Sequence, residues 1–103
     1  MVVTPEDVLE LWSIDRSTRG ARLWLSYAWL IADGMSAAAA VAAVCAEEHL
    51  PRPAVYGSMK RALRPVFDMP PDIWRALGLR QQKTVAGLAK EVAKSMTGEG
   101  VSG

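Results

Sequence analysis

The sequence predicts an all-α fold, a small helical bundle that ends in a C-terminal helix. Apolar residues recur at spacings of three and four in several segments, which is the period of an amphipathic helix. Helix-capping residue types precede several of these segments, and glycine follows two of them. No segment shows a sustained alternation of β-branched residues, and the only alternative to helix is a short strand around residues 74–79.

The first two helices carry clear start and stop signals. Thr4, followed by Pro5, has the pattern of a helix N-terminus, with Asp7 at the acidic position of a capping box. A second helix then runs to about Ala32 and is the expected central element. Its apolar face would bury Trp24 and Trp29, and the glycine that follows it can adopt the left-handed conformation of a helix end.

Two further helices follow with a turn between them. Ser36 is the expected cap of a helix over about residues 37–48, and Pro53 fits the first turn of a helix that runs to about Leu63. The inner face expected for the earlier helix contains Ala38, Val41, Ala42 and Cys45. The inner face expected for the later one contains Val55, Met59, Ala62 and Leu63.

In the C-terminal third, the sequence predicts a short helix over about residues 72–77 and a last helix capped by Thr84. Lys90, Glu91 and Lys94 are expected on the polar side of the last helix. Its apolar side either pairs with a second copy of the chain or closes the chain's own core, and the sequence supports both readings.

The predicted organisation has three parts: a core over residues 1–67, a helical segment over 68–98 that is the expected dimerisation element, and a flexible tail over 99–103. A chain of 103 residues is long enough for a single compact domain.

Composition restricts the location of the chain. The 22% of charged residues is ordinary for a soluble globular protein, and the longest nearly uncharged stretch is far short of the roughly 20 residues of a membrane span. The N-terminus lacks the features of a secretory signal, and a single cysteine cannot form an internal disulfide. We therefore expect a cytoplasmic protein with no membrane partner.

Catalytic and metal-binding chemistry lack their usual residues. Cys45 and His49 are the sole cysteine and histidine, which is too few for a zinc site and leaves no second histidine to activate a nucleophile. Phosphate-binding and dinucleotide-binding glycine motifs are also missing. No enzyme, catalytic residue, metal or cofactor is expected, and Cys45 is interpreted as a packing residue.

Positive charge is concentrated between residues 50 and 67, although the net charge of the chain is only +1. Between residues 50 and 67 there are four basic side chains and no acidic one. Arg52, Tyr56, Lys60 and Arg64 are four residues apart, so on a helix they form a slowly drifting stripe. The stripe is either a simple solvated surface or a face that binds nucleic acid.

The order of elements favours nucleic acid. A helix end at residues 30–34, an alanine-rich helix, a turn and a helix opened by Arg52-Pro53-Ala54-Val55 form a helix-turn-helix pattern. With the Thr4-Pro5-Glu6-Asp7-Val8 start, Lys60-Arg61-Ala62-Leu63 and the Met69-Pro70-Pro71 linker, the chain resembles the KorA/TrfB family of plasmid transcriptional repressors over roughly residues 3–77.

The resemblance implies a homodimeric repressor that binds a palindromic operator in double-stranded DNA through the second helix of the motif. It implies that Val55 and Met59 face the core, and it places Arg52, Pro53, Tyr56, Gly57 and Lys60 on the DNA side. Arg61 and Arg64 join the expected DNA-binding residues because of their charge.

One departure from the family pattern supports a second hypothesis. Residues 46–50 appear as extra length in the turn, and they bring Glu47 and Glu48, which would repel phosphate if they lay on the DNA side. The alternative function is a protein-interaction module on a helix-turn-helix scaffold, such as an antiactivator, an antitoxin or a phage-encoded inhibitor. Its anchors would be Trp12 or Trp74, the tryptophans expected to be exposed.

Overall fold

Helices make up all the regular structure of residues 2–97, the part of the chain that the computed structural model describes. They are α1 (Pro5–Leu11), α2 (Arg19–Ala32), α3 (Ala37–Glu48), α4 (Arg52–Ala62), α5 (Arg64–Phe67), α6 (Pro71–Ala76) and α7 (Val85–Thr97). The all-α prediction is confirmed. The strand considered near residues 74–79 does not form, because α6 occupies its first half and Gly78 then turns the chain with φ 71°. The tail predicted over 99–103 lies outside the described residues.

Three helix caps form where the sequence predicts them, at Thr4, Ser36 and Thr84, whereas the cap of α2 is Thr18. The Thr4 hydroxyl accepts from the Asp7 N–H, and the Asp7 carboxylate accepts from the Thr4 N–H, which completes a capping box. Ser36 accepts from Ala39 N–H at 3.1 Å, and Thr84 accepts from Gly87 N–H at 3.0 Å. These caps depend only on residues within one turn, which is why local sequence predicts them.

The central helix is α2, which packs against α1, α3, α4 and α7. Its buried apolar residues are Ala21, Leu23, Trp24, Tyr27, Ala28 and Ile31. Burial of Trp24 is confirmed, whereas the full burial expected for Trp29 is wrong. Trp29 is half-buried because its indole N–H donates to both carboxylate oxygens of Glu6, at 2.9 and 3.0 Å, which keeps its polar edge at the surface.

The inner face of α3 differs from the prediction. The buried residues are Ala40, Val41 and Val44, while Ala38 and Ala42 are exposed and Cys45 is half-buried. Val41 was placed correctly, and Cys45 packs against the core from a half-buried position, as expected of a packing residue. Alanines occupy both sides of this helix and give almost no periodic signal, so the two valines, which bury more apolar surface, determine its orientation.

The turn between α3 and α4 is short, and the prediction of a lengthened turn over residues 46–50 is wrong. Ala46, Glu47 and Glu48 form the last turn of α3, because alanine and glutamate are good helix formers. The connection consists of residues 49–51 only. His49 takes the left-handed conformation, with φ 56°, in place of the glycine that usually ends a helix.

The segment after the turn follows the prediction closely. Val55, Met59 and Leu63 are fully buried, and Ala62 is half-buried. After α4 ends, Pro65 lies in the first turn of α5, which buries Phe67.

The two tryptophans expected to be exposed are buried against each other. Trp12 is 7% exposed and Trp74 is 1% exposed, and their ring centroids lie 5.6 Å apart with the planes tilted by 41°. The prediction was wrong because Trp12 ends the short helix α1 and Trp74 lies in the short helix α6, and only the tertiary fold brings these two helices together.

The last helix closes the chain's own core. Val85, Leu88, Ala89 and Val92 are buried where α7 packs on α2, so this apolar face is not free to pair with a second copy. The core is one cluster that includes residues on both sides of the 67/68 boundary. Glu91, expected on the polar side, is only 9% exposed and accepts a hydrogen bond from Arg80 N–H at 3.2 Å.

Candidate nucleic-acid interface

Anchoring of α4 determines which of its residues face solvent. Val55 and Met59 are buried against the bundle, so positions about half a turn away point outward. Pro53, Lys60 and Arg61 are exposed there, together with half-buried Gly57. Arg52 at the start of α4 and Arg64 at the start of α5 are also exposed. We call these six residues, with Tyr56, the basic face.

The positive charges of the basic face have no acidic partners among residues 2–97. Two ion pairs occur in this part of the chain: Arg75 with Asp72, and Lys94 with Glu91. Neither involves the cations of the basic face, which are Arg52, Lys60, Arg61 and Arg64. A surface with several uncompensated cations on one helix attracts polyanions.

Tyr56 lies at the edge of this face rather than at its centre. Its side chain is half-buried and packs against the core beside Tyr27. The Tyr27 hydroxyl is buried and has no hydrogen-bond partner among the described residues. Burial, followed by the neighbouring Tyr56, raises the pKa of Tyr27 to about 12. Tyr56 therefore contributes to packing and presents only part of its ring to a ligand.

Gly57 leaves the middle of the basic face open. A β-carbon at this position would have only Arg61 Nη2 nearby, at 3.9 Å, so packing within the chain does not require a glycine. Glycine in a helix interior is less favourable than alanine by about 1 kcal/mol. The residue therefore weakens α4 without a packing reason, and it allows the helix backbone to be approached closely.

Two adjoining cavities bring a further cation to the basic face. One, of about 350 Å³, is lined by Gly57, Lys60, Arg61, Arg64, Phe67, Asp68 and Lys83. The other, of about 330 Å³, is lined by Tyr56, Gly57, Lys60, Lys83, Thr84, Val85 and Ala86. Lys83 lies in the loop that precedes α7 and lines both cavities. Asp68 is the one acidic residue that lines either of them.

Sequence reasoning missed Lys83, which is far from the basic stripe in the chain. The Thr84 cap places Lys83 at the start of α7, but only the packing of α7 on α2 brings that start beside α4. The loop is well anchored. Leu79 is buried, Arg80 N–H donates to Glu91, and the Gln81 side chain donates to the Met69 carbonyl at 3.4 Å.

Arg19, in the first turn of α2, was also missed. It lines a shallow cavity of about 470 Å³ with Thr18, Gly20, Ser58, Arg61 and Ala62, so it adjoins α4 on another side. Glu47 and Glu48 line a separate cavity with Arg19 and Arg22, to which no α4 residue contributes. The two glutamates therefore lie beside α2 and not on the basic face.

Metal-ligand clusters and membrane-spanning helices were sought among residues 2–97. No group of three or more histidine, cysteine, aspartate or glutamate side chains comes together there to hold a metal ion. Among the described helices, none is long and apolar enough to cross a membrane.

No family model, curated protein or solved structure matches the chain.

Proposed function

We propose that this chain is a sequence-specific DNA-binding protein, a transcriptional repressor of the KorA/TrfB type that binds a palindromic operator as a homodimer. The observation that carries the proposal is the basic face itself. A helix anchored by Val55, Met59 and Leu63 presents unpaired cations to solvent, and it does so as the second helix of a helix-turn-helix with a short turn.

In this proposal α4 lies in the major groove, which is wide enough to admit an α-helix. Arg52, exposed at the N-terminus of α4, contacts base edges in this proposal, because an arginine can donate two hydrogen bonds to guanine O6 and N7. Lys60, Arg61 and Arg64 neutralise phosphates and fix the orientation of the helix. Gly57 allows the backbone of α4 to approach the groove wall.

Homodimerisation follows from the palindromic operator, because a two-fold symmetric protein reads two half-sites about 34 Å apart. The apolar face of α7 is covered by α2, so pairing would use another surface.

The alternative function, a protein-interaction module, requires exposed tryptophan side chains as anchors. Trp12 and Trp74 are buried, so it has no comparable observation in its favour.

The test is selection of duplexes from a random pool, followed by fluorescence anisotropy with the enriched duplex and a scrambled one. The key variant is the double substitution Arg52→Ala/Lys60→Ala. The matched control is Arg75→Ala/Lys90→Ala, which removes the same charge from exposed positions outside the cavities beside α4.

We expect a palindromic enriched sequence, two chains per duplex by sedimentation, and binding that weakens steeply with salt. The Arg52→Ala/Lys60→Ala variant should lose at least 30-fold in affinity for the enriched duplex and remain folded by circular dichroism, because both side chains are exposed. The control should change less than threefold. If no sequence is enriched, or if the key variant binds as the parent does, the repressor proposal is wrong.

A further inference from the structure

We propose that Lys83 and Arg19 hold the two sugar–phosphate backbones that border α4, one on each side of the groove. This inference rests on the proposed function and deepens it. It places two phosphate contacts outside α4, both of them beyond the helix-turn-helix that α3 and α4 form.

The two residues adjoin opposite edges of the exposed side of α4. Lys83 shares a cavity with Tyr56, and Arg19 shares one with Ser58. Successive residues are about 100° apart around a helix, so Tyr56 and Ser58 are separated by about 200°. Gly57 lies between them, at the centre of the exposed side. A helix that enters the major groove at Gly57 would therefore have one of these cations towards each strand.

The dimensions of duplex DNA suit this arrangement. An α-helix with its side chains is about 10–12 Å across, and the major groove is about 12 Å wide. A helix of this width fills the groove, so cations beside its two edges face the phosphates of the two strands. Most protein–DNA hydrogen bonds go to the backbone, and such contacts set the orientation of the reading helix.

We expect Lys83 to contact phosphate more strongly than Arg19 does, because most of the charged side chains around Lys83 are cations. The cavity between α4 and the α7 loop is lined by Lys60, Arg61, Arg64 and Lys83, against the single carboxylate of Asp68. The backbone beside Lys83 is held in place, since Leu79 is buried and Arg80 N–H is bonded to the buried carboxylate of Glu91. A phosphate bound there would require little ordering of the loop.

Arg19 contributes less because acidic residues lie near it. It shares the α4-side cavity with Arg61, but it also lines the α2-side cavity with Glu47 and Glu48. The side chain can therefore turn towards the glutamates or towards a phosphate. Removing those carboxylate charges should strengthen its contact with DNA.

The test measures the dissociation constant as a function of salt for the enriched and the scrambled duplex. The variants are Lys83→Ala, Arg19→Ala, their combination, and Glu47→Gln/Glu48→Gln. Lys90→Ala and Arg75→Ala serve as controls that each remove one exposed positive charge elsewhere. Thermal unfolding of every variant confirms that the fold is retained.

We expect Lys83→Ala to lower the slope of log K against log salt by about 1 and to weaken both duplexes equally, by about 5–10-fold near 0.1 M salt. Arg19→Ala should act in the same way but more weakly, the combination should be additive, and Glu47→Gln/Glu48→Gln should tighten binding to both duplexes. The controls should keep the parent slope.

Three negative results have different meanings. If the parent binds with sequence preference and Lys83→Ala keeps the parent slope, the inference is overturned while the proposed function stands. If Lys83→Ala changes only the preference between duplexes, Lys83 contacts bases and the inference is again overturned. If the parent binds neither duplex, the proposed function fails and this inference fails with it.

Discussion

Gly20 of α2 lies directly against the backbone of Ser58 in α4. A β-carbon at Gly20 would overlap the Ser58 carbonyl oxygen and come within 2.9 Å of the Ala62 β-carbon. The close approach of the two helices therefore requires glycine at this position. Because α4 carries the basic face, this contact helps to determine how far that face stands out from the bundle.

Gly20→Ala should lower the free energy of unfolding by about 1–3 kcal/mol, because the added methyl group forces α2 and α4 apart in a packed interior. Urea denaturation measures this change. The buried neighbours are backbone and an alanine, so no flexible side chain can move aside to relieve the overlap. An unchanged free energy of unfolding would show that the helices do not pack as closely as described.

Gly57→Ala is the same substitution as Gly20→Ala but on the outer side of α4, and we expect it to stabilise the fold rather than destabilise it. The new methyl group meets no other atom of the chain closely, so the folded state should gain about 0.5–1 kcal/mol. Binding to the enriched duplex should nevertheless weaken, because the methyl group occupies the open centre of the basic face. A variant that is more stable and binds DNA as tightly as the parent would contradict the role given to Gly57.

His49→Gly should stabilise the chain by up to about 1 kcal/mol. His49 ends α3 with φ 56°, a conformation that an L-residue adopts at a cost and that glycine adopts freely. The side chain is exposed, so its removal loses little packing. His49→Val should destabilise by more than 1 kcal/mol, because a β-branched residue resists this conformation most strongly. Thermal unfolding of the two variants, expected on opposite sides of the parent, checks the prediction.

Tyr27→Phe should alter stability mainly at alkaline pH. The pKa of Tyr27 is raised by burial, and then by Tyr56, to about 12, whereas a tyrosine in the unfolded chain titrates near 10. Between these values the folded state keeps a proton that the unfolded state has lost, so stability falls as pH rises from about 10 to 12. Tyr27→Phe removes this contribution.

Urea denaturation at pH 7, 10 and 11 tests this prediction. At pH 7 the variant should be equal to the parent or up to about 1 kcal/mol more stable, because the buried hydroxyl has no hydrogen-bond partner among the described residues. Above pH 10 the free energy of unfolding of Tyr27→Phe should increasingly exceed that of the parent. Lysines titrate in both proteins and cancel in the difference, so a difference that is independent of pH would contradict the raised pKa.

Local sequence predicted the elements of this fold well. Thr4, Ser36 and Thr84 all cap helices because their partners lie within one turn. Apolar periodicity also placed the buried side of α4 correctly, whereas Glu91 of α7, expected on the polar side, is buried. In α3 the periodic signal is weak, and the predicted inner face was largely wrong because alanines occupy both sides of the helix.

The basic face likewise contains residues that local sequence predicts and residues that only the tertiary structure reveals. The outward direction of Lys60 and Arg61 could be identified from sequence, because residues on one helix keep a known angular relation to its buried side. Arg52 is close to the angular position of buried Met59 and is exposed as the first residue of α4. Lys83 and Arg19 could not be identified in this way. Their distance from α4 depends on how α7 and α2 pack, which is a property of the whole core.

The sequence by itself determined the all-α class, the helix caps at Thr4, Ser36 and Thr84, and the outward direction of Lys60 and Arg61, because each depends on contacts within a few residues. The tertiary structure alone decided that Trp12 packs on Trp74, that α7 covers α2, and that Lys83 lies beside Lys60. These relationships join residues distant in the chain, and burial of one shared core, rather than local propensity, brings them together.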